Sequence, residues 1–170
     1  MLSKLFVSTN ARGFTVVELL VAMAVAAVLL GMALPAFDTF IEQRAMTSRV
    51  NDFISAVNLA RSEAINRGAV VSIQAVAPTA GDEWGAGYCV TVGTPGNCAG
   101  SLRDFEGGDG ATMNALGGLN GLGTLSFNSR GMLNLGAQGT VEICAADVNR
   151  GREIALNTIG RAAVADFDCP

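Results

Sequence analysis

The chain contains no histidine. That removes the commonest general base and the commonest metal-binding side chain at neutral pH. No other constellation takes its place: there is no nucleophile elbow, no metal-spaced cysteine cluster and no spaced carboxylate pair. An enzyme is therefore not expected, nor a cofactor, nor a metal site. Lysine is nearly absent as well, occurring only at Lys4, so positive charge rests on arginine. From Asp38 to Pro170 nine arginines face 14 acidic residues, a balance near −5 that exerts no overall attraction on nucleic acid. Aromatic residues make up 6% of the chain, with a single tryptophan, Trp84, and a single tyrosine, Tyr88. Trp84 is expected to anchor a loop on the core, because large aromatics contribute mainly buried area.

One long apolar run is present. Phe14 to Leu34 gives 21 residues before Pro35, against the roughly 20 needed to cross a bilayer as a helix, and the apolar character continues to Phe37. Its only charged residue is Glu18, and a short leader with Lys4, Arg12 and Gly13 precedes it. A secretory signal would place small cleavage-site residues after the apolar core, whereas the plausible processing glycine here lies before it. Cleavage at Gly13 would keep the anchor. Glu18 has two readings: Thr15-x-x-Glu18 fits a capping box at a helix start, or the carboxylate serves assembly. A carboxylate at the centre of a membrane helix costs about 3 kcal/mol on insertion scales. Glu18, however, would lie only about 6 Å from Phe14 along a helix, where a neighbouring amine could offset it.

Cys89, Cys98, Cys144 and Cys169 all follow the apolar run, are even in number and form no CxxC pair. This usage fits disulfides in an oxidising, periplasm-like compartment. Three connectivities exist. The strong turn Thr94-Pro95-Gly96-Asn97 favours Cys89 with Cys98, which leaves Cys144 with Cys169 to tie down the C-terminus. Zinc is the competing reading, disfavoured by the spacing and by the missing histidine.

From Phe37 to Arg67 apolar residues recur at helical spacing, predicting an amphipathic helix that continues the anchor. Gly31 and Pro35 should bend or loosen the joint, and Gly68 should end it. Strand-like runs follow at 69–76, 87–92, 124–128, 140–145, 153–157 and 161–167. Between Glu106 and Gly123 glycine dominates and a long mobile loop is expected. Gly107-Gly108-Asp109-Gly110 lacks the lysine and the strand-to-helix setting of a phosphate cradle. The expected fold is α+β, a long N-terminal helix packed on an antiparallel β-sheet or sandwich.

Gly13-Phe14-Thr15-Val16-Val17-Glu18-Leu19-Leu20-Val21 resembles the processing site of type IV pilins and pseudopilins. The resemblance implies cleavage between Gly13 and Phe14 by prepilin peptidase, N-methylation of Phe14, and a registry role for Glu18 in a filament. It divides the chain into a leader (1–13), a transmembrane and assembly helix (14–37) and a periplasmic pilin-like domain (38–170). Ala60-Arg61-Ser62-Glu63-Ala64-Ile65 with Arg67-Gly68, Trp84-Gly85-x-Gly87, Phe127-x-x-x-Gly131 and Ile159-Gly160-Arg161 together resemble the GspH/FimT/FimU group. That group implies a minor pilin that helps initiate or cap a type IV pilus from the inner membrane, with other minor pilins and the major pilin as partners. The alternatives it carries are the H-type pseudopilin of type II secretion and a FimT-like minor pilin that binds DNA. The DNA-binding pattern Gly-Arg-x-Arg falls on Gly160-Arg161-Ala162-Ala163, where the second arginine is missing. Arg150 and Arg152 would join Arg161 only if adjacent strands bring them together.

Overall fold

A computed structural model of the protein describes residues 13–108, 110–134, 138–145 and 149–170, with the side chains of 33–39 outside that description. The leader up to residue 12, with Lys4 and Arg12, therefore lies outside the described residues, as do Asp109 and the side chains of Leu34, Pro35 and Phe37. The chain divides into two compact units, one ending at Asp38 and the other Thr39–Pro170.

A single helix, α1, runs Val16–Arg67. It begins where Thr15 caps it: the Glu18 amide donates to Thr15 Oγ1 at 3.2 Å, and the Leu19 amide to the Thr15 carbonyl at 3.2 Å. It stops at Gly68, whose φ of 62° is a left-handed conformation that glycine adopts without a Cβ penalty. The backbone stays helical through Gly31 and Pro35, where the sequence predicts a bend or loosening. Proline forfeits its own donor and crowds the preceding turn, but the flanking leucine, methionine and alanines are good helix formers.

Within the first unit Leu19, Leu20, Val21, Met23 and Val25 are each more than half exposed. A helix apolar on every side needs lipid or other helices around it. Among the described residues no helix is long and apolar enough to cross a membrane. The described apolar side chains stop at Met32, short of the Phe37 to which the sequence carries the run.

In the second unit α1 buries Met46, Val50, Phe53, Val57, Ala60 and Ala64, a stripe at steps of three and four. Two antiparallel sheets complete the core. The first contains β1 (Val71–Ala75), β2 (Gly87–Val92), β3 (Arg103–Glu106) and β5 (Thr124–Phe127), in the order β3-β2-β1-β5. The second contains β4 (Ala111–Gly117), β6 (Gly139–Ala145), β7 (Arg150–Leu156) and β8 (Ala162–Asp168), in the order β4-β6-β7-β8. Ile73 and Leu125 of the first sheet and Val141 and Ile154 of the second join the helix stripe in one hydrophobic cluster. Phe53 is fully buried, edge-on to Trp84 at 5.6 Å and to Tyr88 at 5.4 Å. Burying such a side chain stabilises by about 2–3 kcal/mol.

The expected loop between Glu106 and Gly123 is corrected by β4, which occupies its centre, and β3 precedes it. Ala111, Met113 and Ala115 point inward and alternate with more exposed neighbours, a period-two pattern that the flanking glycines obscure. β7 also starts earlier than predicted, at Arg150, because its first residues pair with the end of β8.

Candidate functional site

Three regions of the chain carry side chains placed for work other than packing. The first is the helix head. Phe14 is 86% exposed, and Thr15 holds the first turn. The capping box is formed on one side only: Thr15 accepts from Glu18, whereas among the described residues the Glu18 carboxylate has no hydrogen-bond or ion-pair partner.

The second region is the pair of disulfides. Cys89 on β2 is bonded to Cys98, Cα atoms 5.8 Å apart, and Cys144 on β6 is bonded to Cys169 just past β8, Cα atoms 6.0 Å apart. Asp104 lies beside the first bridge, with carboxylate and sulfur atoms within 4.8 Å of one another. Both sulfurs are committed to the disulfide, and Asp104 accepts the Ser101 hydroxyl at 2.6 Å. The second bridge spans β7 from β6 to the end of β8. Gly151 of β7 lies under it, where a Cβ would meet Phe167 and the Cys169 sulfur.

The third region brings together sequence patterns that lie far apart in the chain. Gly131 has φ of 73°, and a Cβ there would stand 2.7 Å from Ile65 Cδ1 and 3.1 Å from Arg61 Cγ. Gly160 has φ of 71°, and a Cβ there would stand 2.8 Å from the Phe127 ring and 3.0 Å from the Gly131 carbonyl. The end of α1, the residues after β5 and the β7–β8 turn thus converge on two glycines. Trp84-Gly85-x-Gly87 forms a second junction: Trp84 is fully buried, and Gly107 sits against the backbone of Gly85, Ala86 and Gly87 too closely for a side chain. Gly107 therefore serves backbone packing.

The arginines do not assemble as the DNA reading requires. β7 and β8 pair antiparallel with Leu156 opposite Ala162 and Arg150 opposite Asp168. Arg161 is at the turn of this hairpin, and Arg150 and Arg152 are toward its open end, about 15–25 Å along the strands. Arg152 is ion-paired with Asp166. The suggestion that neighbouring strands unite Arg150 and Arg152 with Arg161 is corrected by this register.

Sequence reasoning missed Asp82 and Glu83. Asp82 Oδ1 accepts the Met113 amide at 2.7 Å and Glu83 Oε2 the Ala115 amide at 2.9 Å, so the two carboxylates close the free edge of β4. Two adjacent acids before the only tryptophan were the available signal.

Residues 49–160 match the family described as Type II transport protein GspH, and residues 8–34 match the prokaryotic N-terminal methylation motif. The chain belongs to the GspH family. Two crystal structures of the type IV minor pilin FimU from Pseudomonas aeruginosa (strain PAO1) are similar to it. In space group P21 the identity is 26% with a TM-score of 0.62, covering 74% of this chain and 92% of that one. In space group P65 the identity is 27% with a TM-score of 0.60, covering 70% and 91%. No curated protein matches the chain. The GspH match takes in the end of α1, Trp84, Gly131 and Gly160, and it ends before β8 begins at Ala162. The methylation motif covers Gly13, Phe14 and Glu18. Proteins of this family are pilins and pseudopilins that assemble with others of their kind after processing by prepilin peptidase.

Proposed function

We propose that the protein is a minor pilin of a type IV pilus. Prepilin peptidase cuts between Gly13 and Phe14 and methylates the new amine, and residues 14–37 hold the chain in the inner membrane with 38–170 in the periplasm. Filament entry transfers the all-round apolar helix from lipid to other helices, with other minor pilins and the major pilin as neighbours. The protein then helps initiate or cap the pilus. It performs no chemistry of its own.

The observation that carries this reading is the join between a methylation motif and a domain similar to FimU. The Glu18 carboxylate, unpartnered among the described residues, supports a pairing with the Phe14 amine of an adjacent subunit, where its charge is offset. The family description favours a second reading, the H-type pseudopilin of type II secretion.

The test is a strain lacking the gene, complemented with the wild-type chain or with Glu18→Gln, which keeps a capping side chain and loses the charge. Surface pili and exported enzymes are counted separately. Loss of pili with secretion intact is expected, and Glu18→Gln should restore few pili. Normal piliation with exported enzymes held in the periplasm would transfer the protein to secretion. Full rescue by Glu18→Gln would remove the ion pair.

A further inference from the structure

The two sheets have four edges, of which two are covered and a third is short and charged. The edge of β4 is closed by Asp82 and Glu83. The edge of β5 is covered by the chain that follows it: the Asn134 amide donates to the Ser126 carbonyl at 2.8 Å, and Leu133 bridges Phe127. β3 is four residues long and reads Arg-Asp-Phe-Glu, the short charged strand by which natural sheets discourage pairing. β8 differs from all three. It is seven residues long, it contains neither proline nor lysine, and it opens with Ala-Ala-Val-Ala before Asp-Phe-Asp.

The direction of its free groups follows from the hairpin. The Asn157 amide donates to the Arg161 carbonyl at 3.1 Å, and the Cys169 amide to the Asn149 carbonyl at 2.8 Å. In an antiparallel ladder bonded pairs alternate, so the odd residues from 161 to 169 bond to β7. Ala162, Val164, Asp166 and Asp168 point their amides and carbonyls away from the sheet. Among the described residues no strand lies on that side.

We infer that β8 pairs with β8 of a second copy of this chain, antiparallel about a two-fold axis at Val164. In that register Val164 meets Val164, and Ala162 meets Asp166, giving about six hydrogen bonds between the outward groups. On the opposite face Ala163 meets Ala165, and Arg161 meets Phe167, a cation over a ring. No like charges are opposed. Sliding the centre to residue 166 would set Asp166 against Asp166, which disfavours that alternative. Because the edges of β4 and β5 are covered and β3 is short and charged, pairing stops at two copies instead of growing into a chain. β8 lies beyond the stretch that matches the GspH family.

Cysteine cross-linking in membranes from cells making the full chain tests the pairing. Facing residues at the two-fold are about 5.5 Å apart at Cα, within disulfide reach. Val164→Cys is compared with Val92→Cys, since both valines are 44% exposed and Val92 is at the end of β2. Mild oxidation should give a species of twice the chain mass at least tenfold more abundant for Val164→Cys. Adding Ala162→Pro, which removes an outward amide that β7 does not use, should reduce it about tenfold with the melting curve kept. Equal cross-linking at the two positions would overturn the proposal. So would an adduct of any other mass, which would give the edge to a different protein, or a doubled species indifferent to Ala162→Pro.

Discussion

Glu83 Oε2 accepts the backbone amide of Ala115 at 2.9 Å with the Glu83 side chain almost wholly buried. A carboxylate from a loop thus completes the ladder of β4 where a ninth strand would otherwise be needed, and Trp84, the next residue, is held in the core by Phe53 and Tyr88. Capping the edge and seating the tryptophan are one local event. Glu83→Ala leaves the Ala115 amide buried without an acceptor, and a buried amide that loses a charged partner costs about 2–3 kcal/mol. Urea unfolding of the purified protein should show that loss. Glu83→Gln keeps an acceptor oxygen and should lose less than half as much.

The glycine junction predicts a different pattern. Gly160→Ala must adopt a φ of 71° and place its Cβ against the Phe127 ring. Left-handed backbone costs about 1–2 kcal/mol for a residue with a Cβ, and overpacking adds about 1–3 kcal/mol. Gly96 has a φ of 75° but open space around its Cβ position, so Gly96→Ala should incur the backbone cost alone. Urea midpoints of the two variants separate the contributions. Equal losses would mean that Phe127 yields to the added methyl.

Much of this arrangement was legible in the sequence because it is local. The stripe from Met46 to Ala64 repeats at helical spacing, Thr15 and Gly68 mark the helix ends, and the turn-forming residues 94–97 fall in the loop after β2 that lets Cys98 reach Cys89, although Cys98 is in that loop and not on a strand. What was hidden is who pairs with whom. β1 pairs with β5 some fifty residues away, and β4 pairs with β6 across the whole of β5. Periodicity gives the inward face of a strand and says nothing of its neighbour. The convergence of Ile65, Gly131 and Gly160 was invisible for the same reason, and so was the separation of Arg161 from Arg152. β4 itself was lost among glycines, since Ala, Met and Ala are weak signals of an inward face.

The two disulfides should differ in what they stabilise. Closing loops of 9 and 25 residues restricts the unfolded chain by about 2.5 and about 3.5 kcal/mol respectively. Replacing Cys144 and Cys169 with serine should therefore destabilise more than the same change at Cys89 and Cys98. The effect should also be localised. β8 is largely exposed and within the chain pairs on one side only, so without the bridge its odd-numbered amides, those bonded to β7, should exchange with solvent faster than the amides of β1. Uniform acceleration across both sheets would show that the bridge acts only through the unfolded state.

Tyr88 gives the protein a stability limit at alkaline pH. Burial raises its phenol well above the ordinary value, the Asp52 charge adds to the rise, and Arg49 opposes it. The folded state thus holds the proton where the unfolded chain, with an ordinary tyrosine near 10, releases it. Below about pH 10 both states are protonated and the contribution is intact. Above it only the unfolded state ionises, so stability falls by about 1.4 kcal/mol per pH unit until the folded phenol also titrates. Because the chain has a single tyrosine, tyrosinate absorbance reports this residue alone. Native protein should show no tyrosinate at pH 11, unfolded protein should show it fully, and the urea midpoint should drop between pH 9 and pH 11. Tyr88→Phe removes the titrating group while keeping the ring stacked on Phe105, and its urea midpoint should be nearly level over the same interval. A drop as steep in Tyr88→Phe as in the wild type would assign the alkaline loss to other groups.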